Sequence, residues 1–385
     1  MAYHFCLYCT NNAFGHSRFA CMTVTDQEAY YLLSRISGIG PKTAHALLEY
    51  FGTSEELLSA SQEAFRNMGQ SAQVKLLEFS NPVWRKNRLE ERELLKAKGI
   101  QLLYKGQNDY PWHLNALCDA PMVLYATGNP MSTRKKVLSI VGTRAMTFYG
   151  KKVIEELLHA LRPDEVVIAS GLALGVDGFA QELAAERGFE VVALVAHGLD
   201  ITYPRRHGAL RGLIERNGCI LSEFFTGVPP LAGNFISRNR LIAGIADATL
   251  VVESAQSGGS LTTADFAHGY QKELLCVPGR LTDRYSAGCN RLLGTLKAQC
   301  YTGPESIIEA LGITRAKNDI KTRPTVHLAT SEEKRLYAFL VKNGRSYPSS
   351  MLKKSGIDRT KLYGVLARLT LSGAITHHND NSYEV

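Results

Sequence analysis

The residues with the strongest chemical character stand in short groups directly after apolar runs. They are Gly142-Thr143-Arg144, Ser170-Gly171, His197-Gly198-Leu199-Asp200, Glu253-Ser254 and Ser257-Gly258-Gly259-Ser260. Glycine lets a backbone come close to a ligand, hydroxyls donate to oxygen, and a guanidinium fork matches a phosphate, so this mixture suits oxyanions. Further arginines follow the same logic: Arg205-Arg206 after Tyr203-Pro204, and Arg238-Asn239-Arg240, expected at the start of a helix. Tyr149, Tyr203 and Phe235 lie beside these groups, where aromatic rings could stack bases or simply pack. Phe148 is expected in the core.

Other chemistries are weaker. Gly142 is followed by Thr143-Arg144-Ala145 where a dinucleotide fingerprint needs Gly-x-x-Gly, and AMTFYGKK departs from a phosphate-binding P-loop at Ala145 and Lys152. Ser170 and Ser260 have no Gly-x-Ser-x-Gly elbow around them, so neither reads as a nucleophile. Asp177, Glu223, Glu253 and Asp265 could stabilise a sugar cation, which keeps a nucleoside-monophosphate N-glycosidase as the enzymatic alternative. Cys6, Cys9 and Cys21 invite a zinc reading, but one Cys-x-x-Cys without a second pair is a poor ligand set. No metal and no cofactor are expected.

Those groups must be positioned by the elements around them. The runs VLSIVG, VVIASG, VVALVA, ILSEF, ATLVVES and LLCVPG alternate with helical stretches, the pattern of a mostly parallel sheet covered on both faces. In such an α/β, Rossmann-like core, ligands bind beyond the carboxyl ends of the strands. Helices begin soon after these turns, so their free amides and positive ends converge on one rim.

Before the core, LLSRISGIGPKTAHALLEYFG reads as helix, glycine turn and helix, with Pro41 at the first helical position. This is a helix-hairpin-helix, SAM-like pattern that either receives a phosphate or serves packing alone. After the core, GITRAKNDIKTRPT is polar, basic and aperiodic, and reads as a linker. Helices over 331–345 and 348–355, then Asp358 capping RTKLYGVLARLTLSGAI and a closing hairpin, spell a winged helix. The expected domains are 1–22, a loose N-terminal extension; 23–98, helical; 99–312, the Rossmann-like core; 313–328, a linker; and 329–385, the winged helix.

The chain of 385 residues has a net charge of +8. From Thr314 onward there are 13 Lys/Arg against 6 Asp/Glu, a net of +7, which leaves +1 for residues 1–313. Anion binding on the core must therefore come from local placement, not bulk charge. No segment has the length of a membrane span or the plan of a secretory signal, so a cytoplasmic protein with reduced cysteines and no membrane partner is expected.

Across residues 100–310 the chain resembles the DNA-processing protein A family, also called Smf. The motifs that carry the resemblance are SIVGTRAMTFYG, ASGLALGVDGFAQE, ALVAHGLDITYPRRH, ILSEFFTG, NFISRNRLIAGIADATLVVESAQSGGSLTTADFA, CVPG and GCNRLL, in the family's order. The resemblance implies binding and protection of single-stranded DNA without hydrolysis, loading of the recombinase RecA in natural transformation, and a homodimer through the Rossmann-like domain. It carries the DNA groove onto Gly142, Thr143, Arg144, Ser170, Gly171, Arg205, Arg206, Arg238, Asn239, Arg240, Gly258, Gly259, Ser260 and Thr263. Two positions depart: Leu174 stands where members often carry Lys or Arg, and Ile236 where proline is common.

For the winged helix, double-stranded DNA and protein remain alternative partners, with Arg359, Lys361 and Arg368 toward a DNA backbone in the first case. A transcription factor in which this module dominates is the third reading. Leu292 to Leu296 is a candidate dimer patch, although burial is the commoner fate of such residues.

Overall fold

In the computed structural model, residues 22–61, 63–64, 78–129, 131, 135–314, 330–372, 374–378 and 381–384 are described. Cys6, Cys9 and Cys21, and the expected linker from residue 315, lie outside them. The chain divides after Thr314 into two units.

The first unit opens with helices that carry their own start signals. Thr23 and Asp26 form a reciprocal capping box at α1 (Val24–Ser34), and Thr53 and Glu56 repeat it at α3 (Ser54–Ser59). Between them α2 (Pro41–Phe51) begins with Pro41 after Gly40, as the glycine turn predicts. A longer helix, α4 (Pro82–Ala97), is capped by the Asn81 side chain. Two of its arginines are spent internally: Arg85 Nη1 donates to Leu58 O at 2.7 Å, and Arg88 pairs with Glu91.

The sheet follows. Its strands are β1 (Gln101–Tyr104), β2 (Val123–Gly128), β3 (Lys136–Val141), β4 (Val166–Ser170), β5 (Glu190–Val195), β6 (Gly218–Ser222), β7 (Ala248–Val251), β8 (Glu273–Cys276) and β9 (Gln299–Cys300). They lie in the order β1-β2-β6-β5-β4-β3-β7-β8-β9. Pairing is antiparallel at β1/β2 and β2/β6 and parallel elsewhere. Starting at β3 the chain builds outward to β4, β5 and β6, then returns beside β3 with β7 and continues to β8. That reversal opens a crevice at the carboxyl ends of β3 and β7.

Both faces are covered, which is why strands such as β4 are buried along their whole length. One face packs on α6 (Phe148–Ala160), α7 (Val176–Glu186), α8 (Gly208–Asn217) and α12 (Pro304–Ala310), and the same apolar cluster runs on into α1–α4 through Tyr31, Leu32 and Leu47. The described residues of this helical region therefore share a core with the sheet. The other face packs on α5 (Trp112–Asn115), α9 (Ala232–Ile245), α10 (Ser260–Gly269) and α11 (Ala287–Gly294). Leu292 is buried there, whereas Leu296 is exposed.

The second unit contains α13 (Ser331–Asn343), α14 (Pro348–Lys354), α15 (Arg359–Leu371) and the antiparallel strands β10 (Thr376–His377) and β11 (Tyr383–Glu384), the order of a winged helix. Leu362, Val365, Leu366 and Leu369 of α15 close its core against Leu336 and Leu340. Among the described residues, no helix is long and apolar enough to cross a membrane, and no cluster of metal-ligating side chains occurs.

Candidate nucleic-acid interface

The corner after β3 is defined by close approach. A Cβ on Gly142 would lie 2.6 Å from Val176 Cγ2 and 3.0 Å from Glu253 O, so only glycine lets β3, β7 and the start of α7 meet here. Thr143 N donates to Glu253 O at 2.7 Å, and Val176 N donates to Thr143 O at 3.2 Å. With the backbone of residue 143 stitched on both sides, Arg144 turns outward and is exposed, its guanidinium carbon 5.4 Å from the centre of the Phe235 ring.

Two helix N-termini on this rim are already occupied by the protein's own carboxylates. At α6 the Glu253 carboxylate accepts Thr147 N at 2.9 Å and also the Thr147 hydroxyl. At α7 Asp177 accepts Gly171 N at 3.1 Å. Burial pushes Asp177 above the usual carboxylate range, with Arg238 and the Gly171 amide opposing. Negative charge at those helix ends is thus supplied internally. The start of α10 differs. There Gly259 is exposed with open space beside it, Ser260 Oγ donates to Ser254 Oγ at 2.8 Å, and Asn239 Nδ2 donates to Gly259 O at 3.2 Å.

The run Arg238-Asn239-Arg240 does not open a helix, as the sequence suggested, because α9 begins six residues earlier at Ala232. Successive residues on a helix point about 100° apart, so the three side chains separate. Arg238 is buried and donates to Gly171 O at 2.7 Å and to Leu194 O. Arg240 is buried in an ion pair with Glu223. Only Asn239 reaches the α10 loop.

The remaining residues sort by exposure. Arg205 and Arg206 are exposed in a single 3₁₀ turn (Arg205–His207), which is anchored where His207 Nδ1 lies 3.1 Å from Leu172 O. Thr143 and Gly258 are half-buried. Ser170, Gly171, Ser260 and Thr263 are buried, and the Ser170 hydroxyl donates to Ile140 O at 2.5 Å. Phe148, expected in the core, is instead exposed at the first position of α6.

Beside Arg144 lies a narrow cleft whose interior holds only about 20 Å³, room for a water and far below the volume of a small-ligand pocket. Arg144, Leu172, Leu174, His197, Tyr203 and Phe235 line it. The Tyr203 and Phe235 rings are 5.7 Å apart, and His197 lies 6.3 Å from Tyr203. Burial lowers the His197 pKa below its ordinary value, so the ring is neutral at pH 7. The arrangement offers aromatic edges, a guanidinium at the mouth and an apolar side at Leu174, so a flat ring attached to a phosphate would lie across the mouth and not enter the cleft. Proximity of His197 to Tyr203 was not anticipated from sequence; its only trace there is that both follow β5.

The family described as DNA recombination-mediator protein A matches residues 101–312. The SAM-like helix-hairpin-helix tandem matches residues 30–69, and the sugar-specific transcriptional regulator TrmB family matches residues 330–385. The chain is 31% identical to a DNA processing protein DprA of Mycobacterium tuberculosis over 299 residues, covering 74% of this chain and 77% of that one. It is 38% identical to protein Smf of Escherichia coli over 203 residues, covering 52% and 54%. Its fold is similar to that of DNA processing protein A from Streptococcus pneumoniae, with a TM-score of 0.59 and 26% identity, over 75% of this chain and 98% of the other.

Proposed function

Since this chain belongs to the DNA recombination-mediator protein A family, we propose that it binds single-stranded DNA along the carboxyl rim of its sheet and passes that strand to the recombinase RecA in the cytoplasm, as in natural transformation. The observation that carries the reading is Arg144: exposed, held on a stitched backbone, and set over Phe235 at the mouth of the cleft. One nucleotide there meets a ring wall and a guanidinium. Arg205 and Arg206 continue the positive charge along the rim, and the Gly259 turn offers backbone approach on the other side of α9.

The protein acts by binding and breaks no bond. Each carboxylate that an N-glycosidase would need has other work: Glu253 caps Thr147, Asp177 holds Gly171, Glu223 pairs with Arg240, and Asp265 pairs with Lys297 on the surface. The Rossmann-like domain forms the homodimer. Of the fourteen residues assigned to the groove, Arg144, Arg205, Arg206, Asn239 and the Gly258-Gly259 turn contact the strand, while Gly142, Thr143, Ser170, Gly171, Arg238, Arg240, Ser260 and Thr263 hold the corners in place.

The test is a salt titration of the full chain with matched single-stranded and duplex oligonucleotides, with nucleotides assayed in parallel for release of free base. Tighter, salt-sensitive binding of the single strand and no base release are expected. Equal affinity for duplex, or base release lost on Glu253→Gln, would replace this reading with a duplex binder or a hydrolase respectively. Light scattering reads the dimer.

A further inference from the structure

Phe148 is 81% exposed, an unusual state for a phenylalanine inside a well-packed unit. Its backbone is also held from both sides. On one side Thr147 is tied to Glu253 through both its N–H and its hydroxyl, and on the other the Tyr149 hydroxyl donates to Pro278 O at 2.9 Å. A ring set between two such anchors loses little freedom when something lands on it.

The Pro278 tie brings a second feature alongside. Beyond Pro278 the chain makes a turn whose two ends are fastened: Gly279 exchanges hydrogen bonds with the Asn290 amide at 3.2 and 3.0 Å, and Tyr285 O accepts Ser254 N at 2.6 Å. From this turn Arg280, Leu281 and Arg284 protrude, with Leu281 91% exposed. Asp283 lies on the same turn, but among the described residues neither arginine forms an ion pair. An exposed ring next to Tyr149, which reaches the root of a turn carrying two guanidinium groups outside any described ion pair, matches unpaired nucleic acid, whose bases have free faces and whose phosphates recur along the chain. A duplex has no free face to offer.

Resting on the function proposed above, we propose that the strand runs on from the Arg144 cleft, across the β3/β7 crevice, to a second station, where Phe148 stacks a base and Arg280 and Arg284 take the flanking phosphates. Arg144 and Phe148 lie four residues apart on one corner, so a single strand that crosses the crevice can engage both, while a short one held at Arg144 need not reach Phe148. This station sits on the β7/β8 side of the crevice and the cleft on the β4/β5 side, so the strand crosses the rim and does not end in a pocket.

The experiment titrates oligothymidylates of about 4 and about 16 nucleotides, the span of site sizes typical for single-strand binders. The full-length chain is compared with Phe148→Ala, Phe148→Trp, Arg280→Ala/Arg284→Ala and Arg144→Ala. Phe148→Ala should weaken the long strand roughly 5- to 150-fold, as loss of one stacked base predicts, and the short one less than about twofold. Phe148→Trp should restore affinity, and its emission should be quenched by bound strand. The arginine pair should lower the salt slope by about 1.4, near 0.7 for each of two single-strand phosphates. Unchanged long-strand affinity in Phe148→Ala, or unquenched tryptophan at saturation, overturns the second station while loss in Arg144→Ala leaves the first intact. Failure of the unmodified chain to bind either strand sinks both, and a change in oligomeric state on Phe148→Ala without a change in DNA binding assigns the surface to protein contact instead.

Discussion

Arg238 and Asp177 grip the two polar ends of one residue: Arg238 Nη1 donates to Gly171 O at 2.7 Å, and Asp177 accepts Gly171 N at 3.1 Å. Both charged atoms come within 2.6 Å of where a Cβ on Gly171 would stand. The end of β4 is thus fixed by two charges brought in from α9 and α7, and a side chain at 171 would drive between them. Burial pushes the Arg238 guanidinium pKa down to about 10, still far above neutrality, so it remains a cation facing a carboxylate.

Removing either charge leaves the other buried alone. Arg238→Ala should cost about 3–5 kcal/mol, the usual penalty for breaking a buried pair from one side. It will appear as a lower urea midpoint for the first unit, with DNA affinity of the folded fraction changed far less. Arg240→Ala should behave alike, since it strands Glu223. A variant that keeps its midpoint while losing affinity would place that arginine on the strand.

Asp247 predicts an acid limb of stability. Burial opposes its charge, but His113, Val137 N and Lys136 prevail and hold its pKa down to about 2. Because the folded value lies below the unfolded one near 3.8, the contribution is complete above about pH 4 and is lost as pH falls through about 2. Allowing for partial solvent screening, it is worth about 1–2 kcal/mol. Urea midpoints measured between those pH values should fall for the native chain, with a shallower decline for Asp247→Asn.

The parallel core was legible because its strands are uninterrupted apolar runs, and uninterrupted burial requires cover on both faces. Phe148 was misplaced by its chemistry alone. A helical wheel puts it on the side opposite Gly150, Ile154 and Leu157, the buried face of α6, so its exposure was encoded in spacing. The start of α9 could not be read, since Leu231 precedes it and no side chain caps it. Nor could the two occupied helix ends: Thr147 and Glu253 are more than a hundred residues apart, and only the β3/β7 pairing brings them together.

The winged helix shows charges spent where the sequence suggested contacts. Lys361 Nζ lies 3.2 Å from Glu332 Oε1, and Arg368 Nε lies 2.9 Å from Glu333 Oε1. Two of the three cations of α15, all but Arg359, which forms no ion pair among the described residues, therefore face glutamates at the start of α13. Neutralising these with Glu332→Gln/Glu333→Gln should steepen the salt slope for duplex DNA by up to about 2, at 0.9 per phosphate, if α15 lies along a backbone. An unchanged slope assigns α15 to protein contact.

Arg144 makes the sharpest demand on the proposed function. It is exposed, belongs to no ion pair among the described residues, and touches the protein through the Phe235 ring, so its loss should cost little stability. Its effect must then appear in binding. Arg144→Ala should weaken single-stranded DNA by about 1.5–3 kcal/mol, the range for hydrogen bonds to charged groups, and equally across unrelated sequences because a phosphate carries no base identity. The salt slope should fall by about 0.7. Arg144→Lys separates fork from charge: a point charge restores the slope but not the geometry over Phe235, so affinity should recover only in part. Full recovery with lysine would mean that the ring plays no role in placing the guanidinium, and the cleft would then act as a site of positive potential alone.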